Sequence, residues 1–204
     1  MKAMIFAAGL GTRLRPLTDH KPKALVPLYD KPLLEHTIEY IARFGFDEII
    51  INVHHHAQQI QDFIENLNTN LKITISDESE ELLDTGGGLK KAAWFLEGNQ
   101  PFLIINSDII TNLQLSDMLR YHQEKKPDIT LAVRTDYRNR FLYFDDNMNL
   151  RGKGDTEGNR LLSPDVSAED FYKFRFSGIH IIEPKILGTL PNQKRFPIME
   201  WYMK

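Results

Sequence analysis

Six small or apolar residues in succession, Ala3-Met4-Ile5-Phe6-Ala7-Ala8, run without a polar interruption into Gly9. A run that short, closed by glycine, suits a strand covered on both faces, as in the middle of a parallel sheet. The pattern recurs at Glu48 to Val53 and at Phe102 to Asn106, while Leu71 to Ser76 alternates as a further strand. Between these runs the period changes. Leu33, Leu34, Thr37, Ile38, Ile41 and Phe44 repeat at helical spacing up to Gly45, and Ile60, Phe63, Ile64 and Leu67 mark a helix from Gln58 to Leu67. Gly86-Gly87-Gly88 leads into a third helix through Leu89 to Leu96. Strand and helix in strict alternation predict an α/β fold, a mostly parallel central sheet with helices on both faces.

After Asp108 the rhythm loosens. Leu115 to Lys125 reads as a helix, Ile129 to Arg134 as a strand, Tyr143 to Leu150 as a hairpin around Asp146-Asn147, and Phe174 to Ile182 as a last strand. Lys153 to Asp170, rich in Gly, Asp, Asn and Ser, reads as one long loop. At 204 residues a single domain over 1–204 is expected. The formal charge of −3, with no polybasic block, argues against a dedicated nucleic-acid binder. Cysteine is absent, which removes disulfides, thiolate metal sites and cysteine nucleophiles. No apolar run approaches the roughly 20 residues that span a bilayer. A cytoplasmic protein with no membrane partner is expected.

The chemistry concentrates where the first strand ends. Gly9-Leu10-Gly11-Thr12-Arg13-Leu14-Arg15-Pro16-Leu17-Thr18 is followed by Pro22-Lys23-Ala24-Leu25. Ligands of open α/β sheets bind beyond the carboxyl ends of strands. Two glycines let backbone N–H groups approach a phosphate chain, Arg13 offers a forked donor, and Lys23 a compact charge. The stretch is neither a dinucleotide fingerprint, since Leu14 stands where the third glycine belongs, nor a Walker loop. Its bland alternative is a glycine turn with solvated arginines. Asp108, directly after a buried strand, suits an oxygen-ligated Mg²⁺, or else a turn in Ser107-Asp108. His54-His55-His56 does not read as a zinc site, because neighbours on a strand end alternate in direction and no further ligand completes a spacing.

The segment from Gly9 to Lys23 resembles the signature of the nucleoside-diphosphate-sugar pyrophosphorylases, the sugar-phosphate nucleotidyltransferases. The likeness continues through Val26-Pro27 and Lys31-Pro32-Leu33. Ile51-Asn52-Val53-His54-His55, Leu83-Asp84-Thr85-Gly86-Gly87-Gly88 and Asn106-Ser107-Asp108 are similar to the N-acetylmuramate-1-phosphate uridylyltransferases and the hexose-1-phosphate guanylyltransferases beside them. The resemblance is specific over residues 1 to 112 and weaker beyond. It implies a Rossmann-like nucleotidyltransferase fold, with a nucleotide-binding part over about 1–112 and a sugar-phosphate-binding part over about 113–204. It implies transfer of a nucleoside monophosphate from an NTP to a sugar 1-phosphate, with Mg²⁺ as cofactor, in a monomer or small homo-oligomer.

Residue by residue, the resemblance assigns catalysis to Arg13, Lys23 and Asp108, with Asp108 also holding the metal. Ala8, Gly9, Gly11, Thr12, Thr85, Gly86 and Gly87 would bind the nucleotide, with Glu80, Glu81 and Leu83 as candidates for the base pocket. Asn106, Gly152, Ser177 and Gly178 would face the sugar. One departure stands out. The family supplies a second metal-binding aspartate from a Trp-x-Asp-Val-Gly-type segment, which does not appear by Trp201-Tyr202-Met203-Lys204; Asp165 and Asp170 do not fit that pattern. A phosphocholine cytidylyltransferase, or a non-catalytic nucleotide- or sugar-phosphate-binding module, are the alternatives.

Overall fold

The computed structural model describes residues 1–136, 139–163 and 171–203. Its first strand, β1 (Lys2–Phe6), lies in the middle of the sheet. It pairs in parallel with β4 (Glu48–Val53) on one side and with β6 (Phe102–Asn106) on the other, and β4 carries β5 (Lys72–Asp77) beyond it. Before β4 come a two-residue hairpin, β2 (Pro27–Leu28) and β3 (Lys31–Pro32), and helix α1 (Leu33–Ala42). Helices α2 (Ala57–Glu65) and α3 (Asp84–Leu96) are the next two crossovers.

The apolar runs divide cleanly between the sheet's faces, because successive side chains on a strand point to opposite sides. Ala3, Ile5, Ile49, Ile51, Val53, Leu103 and Ile105 pack with Leu34, Ile38 and Ile41 of α1 and Ile60 of α2. Met4, Ile50, Phe102 and Ile104 pack with Leu89, Ala92 and Leu96 of α3. Helices therefore cover both faces, as the strand-helix alternation required.

Beyond β6 the sheet turns antiparallel. After α4 (Leu115–Lys125) come β7 (Ile129–Arg134), β8 (Arg140–Phe144), β9 (Leu150–Asp155), β10 (Arg160–Leu162) and the long β11 (Tyr172–Ile182). Strand β11 runs antiparallel to β6, β7 and β8, giving the order β10-β9-β8-β11-β6-β1-β4-β5 with β7 also on β11. The expected long loop from Lys153 is corrected here. Residues to Asp155 and from Arg160 are strand, joined by a turn in which the Asp155 carboxylate accepts the N–H groups of Glu157 and Asn159, both at 3.0 Å. Asp, Asn and Gly marked a tight turn between strands, and composition alone could not separate that from a loop. Asp165 and Asp170 lie outside the described residues. Among the described residues no helix is long and apolar enough to cross a membrane.

A short helix that the sequence did not announce, α5 (Ile198–Tyr202), docks the segment 194–203 against α3 and β11. His180 of β11 is buried, its Nδ1 lies 2.6 Å from the Tyr202 hydroxyl, and burial pushes its pKa down to about 3. The Gly86 N–H donates to the Phe196 carbonyl at 2.9 Å, and the Ile198 N–H to Thr85 Oγ1 at 2.9 Å. The contact is so close that a Cβ on Gly86 would lie 2.2 Å from the Phe196 ring and 2.7 Å from its carbonyl oxygen. Helix propensity alone favours alanine over glycine by about 1 kcal/mol, whereas overpacking against backbone costs about 1–3 kcal/mol. Gly86→Ala is therefore expected to destabilise the protein by up to about 2 kcal/mol in urea unfolding. A stabilised variant would show that the contact with Phe196 yields freely.

Candidate active site

The site opens where β1 leaves the sheet. Ala7 and Ala8 are buried, and beside Gly9 there is open space where a side chain would stand. Gly11 has φ +65°, and a Cβ there would come within 2.9 Å of Thr18 Cγ2 and 3.1 Å of Lys23 Cβ. Both the backbone angle and the crowding demand glycine. The buried Thr18 hydroxyl donates to the Gly11 carbonyl at 2.9 Å, folding the loop back on the turn that carries Lys23. Thr12 and Arg13 form an exposed helical turn.

Asp108 arrives from the neighbouring strand. The Ser107 N–H donates to the Phe6 carbonyl at 3.0 Å, continuing the parallel β1–β6 register, and Thr37 Oγ1 of α1 donates to the Ser107 carbonyl at 3.2 Å. Lys23 Nζ then forms a hydrogen-bonded ion pair with the Asp108 carboxylate, both side chains being about three-quarters covered. Two residues picked out separately in the sequence thus meet. Arg13 lines a different wall, that of a cavity of about 1190 Å³ bounded by Phe141, Lys153, Gly154, Arg175, Phe176 and Met199, whose lining includes neither Lys23 nor Asp108.

The sugar-side candidates divide. Asn106, two residues before Asp108 in the chain, and Gly178 come together: Gly178 has φ +77°, and a Cβ on it would sit 2.8 Å from Asn106 Nδ2, while Ser177 precedes Gly178 in β11. Gly152 does not join them. It pairs with Leu162, and a Cβ there would meet the Leu161 carbonyl oxygen at 2.6 Å, so its neighbours Lys153 and Gly154 line the cavity instead.

Thr85, Gly86 and Gly87 also differ from expectation. They lie inside the first turns of α3, with segment 194–198 packed over them. A Cβ on Gly87 would meet the Lys194 carbonyl oxygen at 2.3 Å, and the Thr85 N–H is taken by Asp84 Oδ1 at 2.6 Å. These glycines admit another stretch of backbone, where the sequence suggested an open surface for a base or ribose. Glu80, Glu81 and Leu83 border a smaller cavity of about 460 Å³ with Gly87 and Lys194, and Glu81 is ion-paired with Lys194.

Two polar residues that carry the loop were not singled out from the sequence. Asn52 and Glu78 are 3% and 1% exposed. Asn52 Oδ1 accepts the Ala7 N–H at 2.9 Å, and its Nδ2 donates to Glu78 Oε1 at 2.8 Å. This chain ties the ends of β4 and β5 to the first residue of the loop. A Cβ on Gly88 would press on both, at 2.7 Å from Glu78 Oε1 and 2.9 Å from Asn52 Nδ2. The signal in the sequence was an amide inside the apolar run Ile49 to Val53.

Burial raises the Glu78 pKa above its ordinary 4.5, against the hydrogen bond from Asn52, the Leu83 N–H and the charges of Lys91 and His54. A carboxyl whose pKa is raised on folding favours the folded state below its unfolded pKa, and that advantage is lost as pH rises through the folded value. Glu78→Gln keeps the shape and removes the titration. It is expected to match the parent near pH 4 and to exceed it in stability at pH 8, in denaturant unfolding at the two pH values. A constant difference would place the carboxyl in contact with water.

A nucleotidyl transferase family model matches residues 2–141. Over 134 residues, 65% of this chain, there is 37% identity to the mannose-1-phosphate guanylyltransferase catalytic subunit beta of Dictyostelium discoideum. Over 216 residues, 97% of the chain, there is 29% identity to the UTP–glucose-1-phosphate uridylyltransferase of Synechocystis. The matches span only 37% and 53% of those relatives' own lengths. Among solved structures, HddC from Yersinia pseudotuberculosis complexed with GMP-PN superposes with a TM-score of 0.76 at 25% identity, covering 97% of this chain and 82% of that one.

Proposed function

Because the chain belongs to the nucleotidyl transferase family, we propose that it joins a nucleoside monophosphate from an NTP to a sugar 1-phosphate, releasing pyrophosphate. The observation that carries this reading is the Lys23–Asp108 ion pair at the mouth of the loop after β1. A lysine from the turn that follows the loop after β1 and a carboxylate just past the end of the neighbouring parallel strand β6 meet where an open α/β sheet binds its ligand. A non-bridging oxygen of the sugar phosphate attacks the α-phosphorus in line. A new P–O bond forms as the α–β bridging P–O bond breaks, and pyrophosphate leaves with the electron pair. The attacking phosphate is already ionised at neutral pH, so no side chain needs to act as base.

The residues then have electrostatic and positional work. The backbone of Ala8, Gly9, Gly11 and Thr12 cradles the phosphates, Arg13 balances their charge, and Lys23 passes from Asp108 to the phosphate oxygens. Asp108 fits a Mg²⁺ site of the kind that takes one or two protein carboxylates and completes its shell with phosphate oxygens and water. Mg²⁺ bound there would neutralise charge on the phosphates. Asn106, Ser177 and Gly178 line the sugar side, and the division into a nucleotide part over 1–112 and a sugar part over 113–204 follows the change from parallel to antiparallel sheet. The base is uridine as first choice and guanosine as second, both represented in the relatives' names. We further propose a cytoplasmic enzyme, acting as a monomer or small homo-oligomer.

Lys23→Ala and Asp108→Ala are each expected to lower turnover by at least about a hundredfold, in a pyrophosphate-release assay across four NTPs and several sugar phosphates. Near-normal turnover in either variant removes that residue from the mechanism. No turnover from the parent, with clear thermal stabilisation by an NTP, would favour a nucleotide-binding module over an enzyme.

A further inference from the structure

Helix α1 presents one face to both partners of the Lys23–Asp108 pair. Residues 33, 36, 37 and 40 follow helical spacing and share a side of it. The Leu33 N–H donates to the Val26 carbonyl at 3.1 Å, and His36 Nε2 donates to the Leu28 carbonyl at 2.9 Å. These bonds hold the hairpin β2–β3, which follows the turn of Lys23. Thr37 Oγ1 donates to the Ser107 carbonyl at 3.2 Å, and the Tyr40 hydroxyl to the Leu113 carbonyl at 2.6 Å. The segment 107–113, which carries Asp108, is thus tied to α1 at its first residue and again at its last.

Packing alone does not ask for these two hydroxyls. The other buried side chains of α1, Leu34, Ile38 and Ile41, are apolar and lie on the sheet. Thr37 is fully buried, where a valine would have nearly the same shape and no polar atom to satisfy. Its hydroxyl already has a local acceptor one turn back, the Leu33 carbonyl at 3.1 Å, so the reach to Ser107 exceeds what burial requires. Burial pushes the Tyr40 pKa up to about 12, so that hydroxyl stays a donor. Between the two anchors the Ile109 N–H donates to the Asn106 carbonyl at 3.3 Å and the Leu113 N–H to Thr111 Oγ1 at 3.1 Å. Local turns of that kind shape a segment without fixing where it stands over the sheet.

Resting on the transfer reaction above, we infer that Thr37 and Tyr40 are positioning residues for the carboxylate that would hold Mg²⁺. Through the Ser107 and Leu113 carbonyls they set where Asp108 stands past the end of β6, while the same helix holds the Lys23 side through Leu33 and His36. Groups that orient a metal ligand from behind are worth about ten- to hundredfold in metal affinity or activity.

Calorimetry with UTP and with GTP, in the absence of acceptor and with or without Mg²⁺, tests this on Thr37→Val, Thr37→Ser and Tyr40→Phe. In the parent protein Mg²⁺ is expected to tighten the binding of at least one NTP. Thr37→Val should lose about tenfold of that gain, with metal-free binding within about twofold of the parent. Tyr40→Phe, acting at the far end of the segment, should lose less. Thr37→Ser leaves a small void but keeps the hydroxyl, so it should keep the gain even at a lower melting temperature. A packing role ranks the serine variant as the more damaging of the two, and a positioning role ranks the valine variant so.

Parent-like Mg²⁺ gains in both Thr37→Val and Tyr40→Phe overturn the inference, as does a loss that falls equally on metal-free binding or is greater in Thr37→Ser. A parent protein in which Mg²⁺ strengthens neither NTP overturns it too. The outcome separates from that of the reaction itself. A Mg²⁺ gain that Thr37→Val weakens, with no pyrophosphate released from any NTP, would sink the transfer reading and leave the positioning role standing. Pyrophosphate release whose Mg²⁺ requirement is the same in parent and variants would do the reverse.

Discussion

The position of β1 governs the molecule. Hydrogen-bonded on both sides and covered on both faces, it has no exit except beyond its carboxyl end, and its two parallel neighbours belong to crossovers that leave in opposite directions. The crevice at that point is a product of strand order, and the side chains delivered to it come from far apart in the chain. Lys23 reaches it from a turn held by Gly11 and Thr18, and Asp108 from the end of β6, fixed by register and by Thr37. Neither residue has freedom to be elsewhere while the sheet is intact.

Burial and charge do different work on the two sides of that crevice. On the β4–β5 side, Asn52 and Glu78 are sealed from water, and their hydrogen bonds set the backbone from which the glycine loop starts. A buried carboxyl is costly when ionised, so the pair gains its rigidity at a penalty that grows with pH. On the β8–β11 side Arg140 and Arg160 stay exposed to water, where guanidinium groups keep their charge at little cost.

The parallel half of the fold was legible because its strands are continuous apolar runs ended by Gly, Asn-Ser-Asp or His, and the helices between them keep their stripe. Gly11, Lys23 and Asp108 could be read for the same reason: each follows a strand or loop whose place was already certain. The antiparallel half was harder. The strands β9 and β10 contain Arg, Lys, Gly and Asp, and their pairing depends on partners distant in sequence, which no local pattern records. Gly86 and Gly87 of α3 could be read two ways in the sequence, because a close approach of ligand and a close approach of backbone demand the same residue. Only coordinates distinguish Phe196 from a nucleotide as the neighbour. Likewise the amide of Asn52 is visible as an oddity in an apolar run, while its partners at Ala7 and Glu78 are not.

The docking of segment 194–203 on α3 has a bearing on how the chain reaches its native state. The bond from Ile198 to Thr85 closes a loop of 113 residues, and joining ends that far apart costs roughly 4 kcal/mol of chain entropy before any contact repays it. Until residues 194–198 have emerged and docked, the side of α3 that Gly86 and Gly87 present to them is bare. An unfinished chain therefore leaves Gly86 and Gly87 open to water while Gly88 already rests on Glu78 and Asn52, and the late arrival of Phe196 converts that end of α3 into interior.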